Sequence, residues 1–166
     1  MSAFDFTQIH REFPENLLQK TYIWIWNADK IPPHIGISAG KEYYSLTYRK
    51  SEQLLTASML KKAKRSAVPL VLVEIPSEII KQDLNTVFKS YQRAMNGITC
   101  LYPIREALSL GSEINQLTDL LKHLQSEKLI RNVSGANLPE AYKGIPGYSM
   151  EDILKRIEYL NGEPKK

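Results

Sequence analysis

The chain has 166 residues, 43% of them hydrophobic, and a formal net charge of +4. That length and apolar fraction suit one domain around one core, residues 1–166, and leave little room for two. No stretch approaches the roughly 20 apolar residues of a membrane helix, and residues 1–13 carry acids and polar groups where a secretory leader is apolar, so a cytoplasmic protein without a membrane span is expected.

Cys100 is the one cysteine, which excludes an internal disulfide, points to a reducing compartment and leaves a free thiol. The basic excess is local: Lys61, Lys62, Lys64 and Arg65 form one cluster and Lys165 and Lys166 end the chain. Such a cluster reads as the solvated end of a helix.

From the N-terminus, residues 4–20 read as a lead-in with one or two helical turns opening at Pro14. Thr21 to Trp26 (TYIWIW) is dense in β-branched and aromatic residues and predicts a strand, ended by breakers in residues 27–33. His34 to Ser38 and Glu42 to Tyr48 predict a hairpin around Gly40. Ser51 predicts the N-cap of a helix running to about Lys64. The apolar run Pro69 to Ile75 predicts a strand buried on both faces. Pro76 and Ser77 then predict the start of a long helix with a stripe at Ile80, Leu84, Val87, Phe88 and Tyr91, ending at Asn96 and Gly97.

Pro103 predicts a helix through about Leu110, and Ser112 with Glu113 starts another with the stripe Ile114, Leu117, Leu120, Leu121 and Leu124. Residues 134–147 carry the breakers Gly135, Pro139, Gly144 and Pro146 and predict a surface loop, before a last amphipathic helix from Ser149 through Leu160. The expected fold is therefore α+β: a small, mainly antiparallel sheet packed against helices, with a mostly helical C-terminal half.

The chain has no glycine-rich phosphate loop, no paired-cysteine metal signature and no histidine pair at helical spacing, so neither a cofactor nor a metal site is expected. His10 and His123 fall in polar surroundings and read as surface residues. His34 opens a strand, and alternation puts His34, Gly36 and Ser38 on the face opposite Ile35 and Ile37. Gly36 would remove bulk beside the imidazole, as a close approach of ligand or backbone needs. Cys100 lies between two predicted helices. Unpaired N–H groups at a helix start, together with an imidazole, would lower its pKa and make it a nucleophile, whereas a lone cysteine flanked by Ile98 and Leu101 also suits a small core residue.

The order of these features, a strand His34-Ile35-Gly36-Ile37, a hairpin at Gly40, a strand with Tyr43-Tyr44-Ser45, a buried strand 70–75, a helix, then Thr99-Cys100 and a helix 104–110, resembles the circularly permuted NlpC-type branch of the papain-like thiol hydrolase superfamily. The resemblance covers roughly residues 21–111, with 112–166 a helical extension. It implies an amide hydrolase or acyltransferase acting on a small-molecule, peptide or acyl substrate, with Cys100 as nucleophile and His34 as general base. The family's third polar residue, which orients the histidine, has no clear match; Glu42 and Ser45 on the neighbouring strand are its candidates. Two other readings stand beside this one. The first is a non-catalytic binding or interaction domain. The second is winged-helix-like DNA binding through residues 104–131, although the helix at Ser112 carries Glu113 and Asp119 and no arginine near its start, so nucleic acid is not the expected partner.

Overall fold

The computed structural model describes residues 2–162; the tail cations Lys165 and Lys166 lie outside the described residues. The fold is α+β, with antiparallel sheets packed against helices. Its frame is a six-stranded antiparallel sheet made of β2 (Thr21–Trp26), β3 (His34–Ala39), β4 (Glu42–Leu46), β5 (Ser51–Leu55), β6 (Leu70–Ile75) and β7 (Asn132–Ala136), in the order β5-β4-β3-β2-β6-β7. A second, two-stranded sheet pairs β1 (Ser2–Asp5) with β8 (Gly144–Pro146).

β2 shows why the sheet sits inside the protein. Tyr22, Trp24 and Trp26 alternate with Ile23 and Ile25, so both faces are apolar, and every residue of the strand is buried. The aromatic face meets Leu70 and Leu72 of β6, Tyr43 of β4, and Met59 and Ala63 of α1 (Thr56–Arg65). Its indole N–H groups are satisfied there: Trp24 Nε1 donates to Ser38 Oγ at 2.8 Å, and Trp26 Nε1 donates to Tyr43 OH at 2.9 Å. The aliphatic face, with Ile23, Ile25, Ile35, Ile37, Val71 and Val73, packs on α2 (Leu84–Lys89), α3 (Leu101–Ala107) and α4 (Leu117–Ser126). Each fully buried Val, Leu or Ile there is worth about 1.5–3 kcal/mol over leaving it in water. Lys61, Lys62, Lys64 and Arg65 are exposed toward the end of α1, where the helix dipole favours cations.

Several boundaries differ from the sequence reading. Residues 51–55 are not the first turns of a helix: they are edge strand β5, paired along β4 from Glu42↔Leu55 to Leu46↔Ser51. α1 begins only at Thr56, whose N–H donates to Lys41 O at 2.9 Å and whose hydroxyl donates to Gly40 O at 2.8 Å. The long helix expected after Ser77 is interrupted. A single 3-10 turn spans Ser77–Ile79, Lys81 and Gln82 donate their N–H groups to Ala107 O, and α2 starts afresh behind Asp83, whose carboxylate accepts from the N–H and hydroxyl of Thr86.

α3 begins at Leu101 rather than Pro103, because a proline within the first turn of a helix gives up an N–H that has no partner there anyway. α4 begins at Leu117, five positions later than Ser112, with Gln116 and Asp119 forming a capping box. The breaker-rich segment 134–147 contains most of β7 and all of β8, so the C-terminal half contributes two strands. The last helix, α5 (Met150–Asn161), follows the expected start: Ser149 Oγ accepts from Asp152 N at 3.2 Å, and Asp152 Oδ2 accepts from Ser149 N at 2.8 Å. Among the described residues, no helix is long and apolar enough to cross a membrane.

Candidate functional site

At the end of the main sheet where β3 begins and β4 finishes, a cavity of about 590 Å3 opens between the sheet and the helices. Five pieces of chain build it. The loop entering β3 supplies Ile31, Pro32 and Pro33, with Lys30 at its edge. The end of β4 supplies Leu46 and, beyond it, Thr47 and Tyr48. The start of α3 supplies Thr99, Cys100 and Leu101, and the start of α4 supplies Asn115, Gln116 and Leu117. The remaining wall is α5 with its lead-in: Tyr148, Ile153, Arg156, Ile157 and Leu160.

These walls are held by specific bonds. Ala94 N donates to Thr47 O at 2.8 Å, which ties the segment before α3 to the end of β4. Leu117 N donates to Tyr148 OH at 3.0 Å, so the start of α5 is anchored to the start of α4. Asn161 Nδ2 donates to Ala94 O at 3.3 Å and anchors the other end of α5.

His34 and Cys100 both line this cavity, and they reach it from different faces of the sheet. His34 pairs across from Trp26, and strand alternation sends its ring to the aromatic face with Trp24, Trp26 and α1. There, burial and then the nearby Lys62 ammonium push the imidazole pKa down to about 4, so the ring is neutral at pH 7. Cys100 is half-buried and packs with the aliphatic cluster of the other face. Burial pushes its thiol pKa up, opposed by the backbone N–H groups of Ile35 and of Cys100 itself. The lowered pKa expected of a thiol at a helix start is therefore not found: desolvation outweighs the N–H groups. Among the described residues, no hydrogen bond joins the thiol to the imidazole.

The two candidates for a third member fall in different places. Glu42 pairs with Ala39 at the far end of the β3–β4 ladder from His34, and its carboxylate accepts from Tyr44 OH at 2.7 Å on the aliphatic face. It is not brought to the imidazole. Ser45 pairs with Gly36 on the same face as His34, buried, with its hydroxyl turned to the Tyr43 oxygen. Gly36 also has a different task from the one expected. A Cβ at this position would run into the Tyr43 hydroxyl and ring, so the glycine makes room for a core tyrosine rather than for a ligand.

The sequence reading missed the aliphatic wall of α5, Tyr148, and the Asn115–Gln116 pair. The stripe Ile153, Ile157, Leu160 at helical spacing was a visible signal of an apolar face, but nothing local indicated what that face covers. Among the described residues, no group of three His, Cys, Asp or Glu side chains is placed to hold a metal ion. No protein-family model, curated protein or solved structure matches the chain. The fold and the cavity thus define the chain's class by themselves: an α+β protein with a mainly apolar cavity that opens at one end of an antiparallel sheet.

Proposed function

We propose that the protein is a non-catalytic binding domain that takes a small, largely apolar molecule into the cavity between β4, α3, α4 and α5. The observation that carries this reading is the chemistry of the walls. Leu46, Leu101, Leu117, Ile153 and Ile157 converge on one space, and a few polar groups, Thr47, Gln116 and Tyr148 among them, stand beside it. A pocket of roughly 300–1,000 Å3 with apolar walls and few convergent polar groups is the usual form of a small-molecule site. Water gains little in such a space, and an apolar occupant gains by leaving water.

The lone thiol provides the test. A neutral apolar dye, Nile red, is expected to bind with a fluorescence increase and to slow alkylation of Cys100 by iodoacetamide. Ile157→Trp, a cavity-filling change, is expected to weaken both effects while the far-ultraviolet spectrum is retained. Dye binding that leaves Cys100 alkylation untouched would end the reading.

A second reading is favoured by one specific observation, that Cys100 and His34 line the same cavity. It is acyl transfer or amide hydrolysis through a thioester at Cys100. The sulfur attacks an acyl carbon, His34 takes the thiol proton and returns it to the leaving group, and nearby backbone N–H groups receive the oxyanion. Incubation with p-nitrophenyl acetate and intact-mass analysis tests it. The expected result under this reading is one acetyl adduct at Cys100 that forms far more slowly in His34→Ala, and equal rates in both proteins would exclude it.

A further inference from the structure

Electrostatics adds a second constraint to the cavity. Among the residues that line it are two permanent cations, Lys30 and Arg156, and no aspartate or glutamate. Both cations are exposed, Lys30 on the loop that enters β3 and Arg156 on the α5 wall. Lys30 is partly answered by Asp29, with Nζ to Oδ2 at 3.8 Å. Arg156 has its guanidinium 5.5 Å from the Tyr159 ring centre, and among the described residues no carboxylate pairs with it. The apolar surface lies deeper: Leu101, Leu117 and Ile153 are buried, while Ile31 of the entering loop is half exposed.

On the reading that the cavity is a binding site, we infer that its ligand is an amphipathic carboxylate, its apolar body among Leu46, Leu101, Leu117 and Ile153 and its carboxylate turned to Arg156 and Lys30 at the opening. A cationic head group would face two like charges, and the one carboxylate beside them, Asp29, already faces the Lys30 ammonium. A neutral ligand would leave the arginine fork unused, and that fork matches the two oxygens of a carboxylate. A carboxylate at the mouth also stays hydrated on its outer side, so its charge need not be taken wholly out of water.

Competition against bound Nile red, with laurate and dodecanol held below their aggregation thresholds, tests the inference separately from the reading beneath it. Laurate is expected to displace the dye at a concentration about tenfold or more below dodecanol, the range expected of a hydrogen bond to a charged group. That preference should shrink in 0.5 M salt and disappear in the double variant Lys30→Gln with Arg156→Gln, acid and alcohol each being compared against the dye affinity measured for that same variant. Equal displacement by acid and alcohol, or a preference that survives the double variant, overturns the inference and leaves the cavity reading standing. Failure of the dye to bind at all overturns both.

Discussion

The phenol of Tyr43 occupies the space that a side chain at position 36 would need: Gly36 on β3 and Tyr43 on β4 stand on the same face, and the tyrosine hydroxyl reaches over the glycine to accept from Trp26 Nε1 at 2.9 Å. The ring is buried on every side, with Trp24 packed edge-on at a centroid separation of 5.2 Å. It has nowhere to retreat.

Gly36→Ala is therefore expected to destabilise the protein by about 1–3 kcal/mol, the usual cost of forcing extra volume into a filled core. Urea unfolding gives the value. In a Tyr43→Leu background the same change should cost clearly less, because the two sites share one space. Additive costs would show that the crowding is not the cause.

Stability should fall in mild acid through His34. Its folded pKa of about 4 lies below the ordinary 6.5, so between those two values the unfolded chain takes up a proton that the folded protein refuses. Above pH 6.5 both states are neutral and there is no contribution; as pH falls toward 4 stability is lost, by at most about 3 kcal/mol at about 1.36 kcal/mol per pKa unit. His34→Gln should flatten this part of the profile relative to the parent. Parallel profiles between pH 7 and 4 would show that the imidazole titrates normally.

Cys100 is expected to be a slow nucleophile at neutral pH. Its pKa is raised by burial, so alkylation should accelerate only above the ordinary thiol value of about 8.5. The rate profile should also be the same in His34→Ala, since the ring and the sulfur stand on different faces of the sheet. A rate plateau reached below pH 7, lost in that variant, would favour the thioester chemistry over simple binding.

How much of this was legible in the sequence varies by segment. β2 and the β3–β4 hairpin could be read almost to the residue, because their signals are local: dense aromatic and β-branched residues, alternation, and Gly40 in the left-handed region at the turn, with φ of 61°. β5 could not be read. Ser51-Glu52-Gln53-Leu54-Leu55 has no alternation, and it is a strand because β4 offers it a free edge. The same holds for β7 and β8, whose partners, β6 and β1, lie far away along the chain. The stripe from Ile80 to Tyr91 had helical spacing, yet Asp83 and the Ala107 carbonyl offered the backbone better partners than a continuous helix did.

For the candidate site, the residue pattern by itself determined that His34 and Ile35 point to opposite faces, since alternation is a property of any strand. It also supplied one free thiol near a helix start. Which face α3 would dock against was decided only by packing. Leu101 and Ile104 bury their side chains against the aliphatic surface of Ile35 and Ile37, and Cys100 is carried there with them, away from the imidazole. The cavity has the same origin: it exists because α5 lays Ile153 and Ile157 across the end of the sheet, a contact between segments that no local pattern encodes.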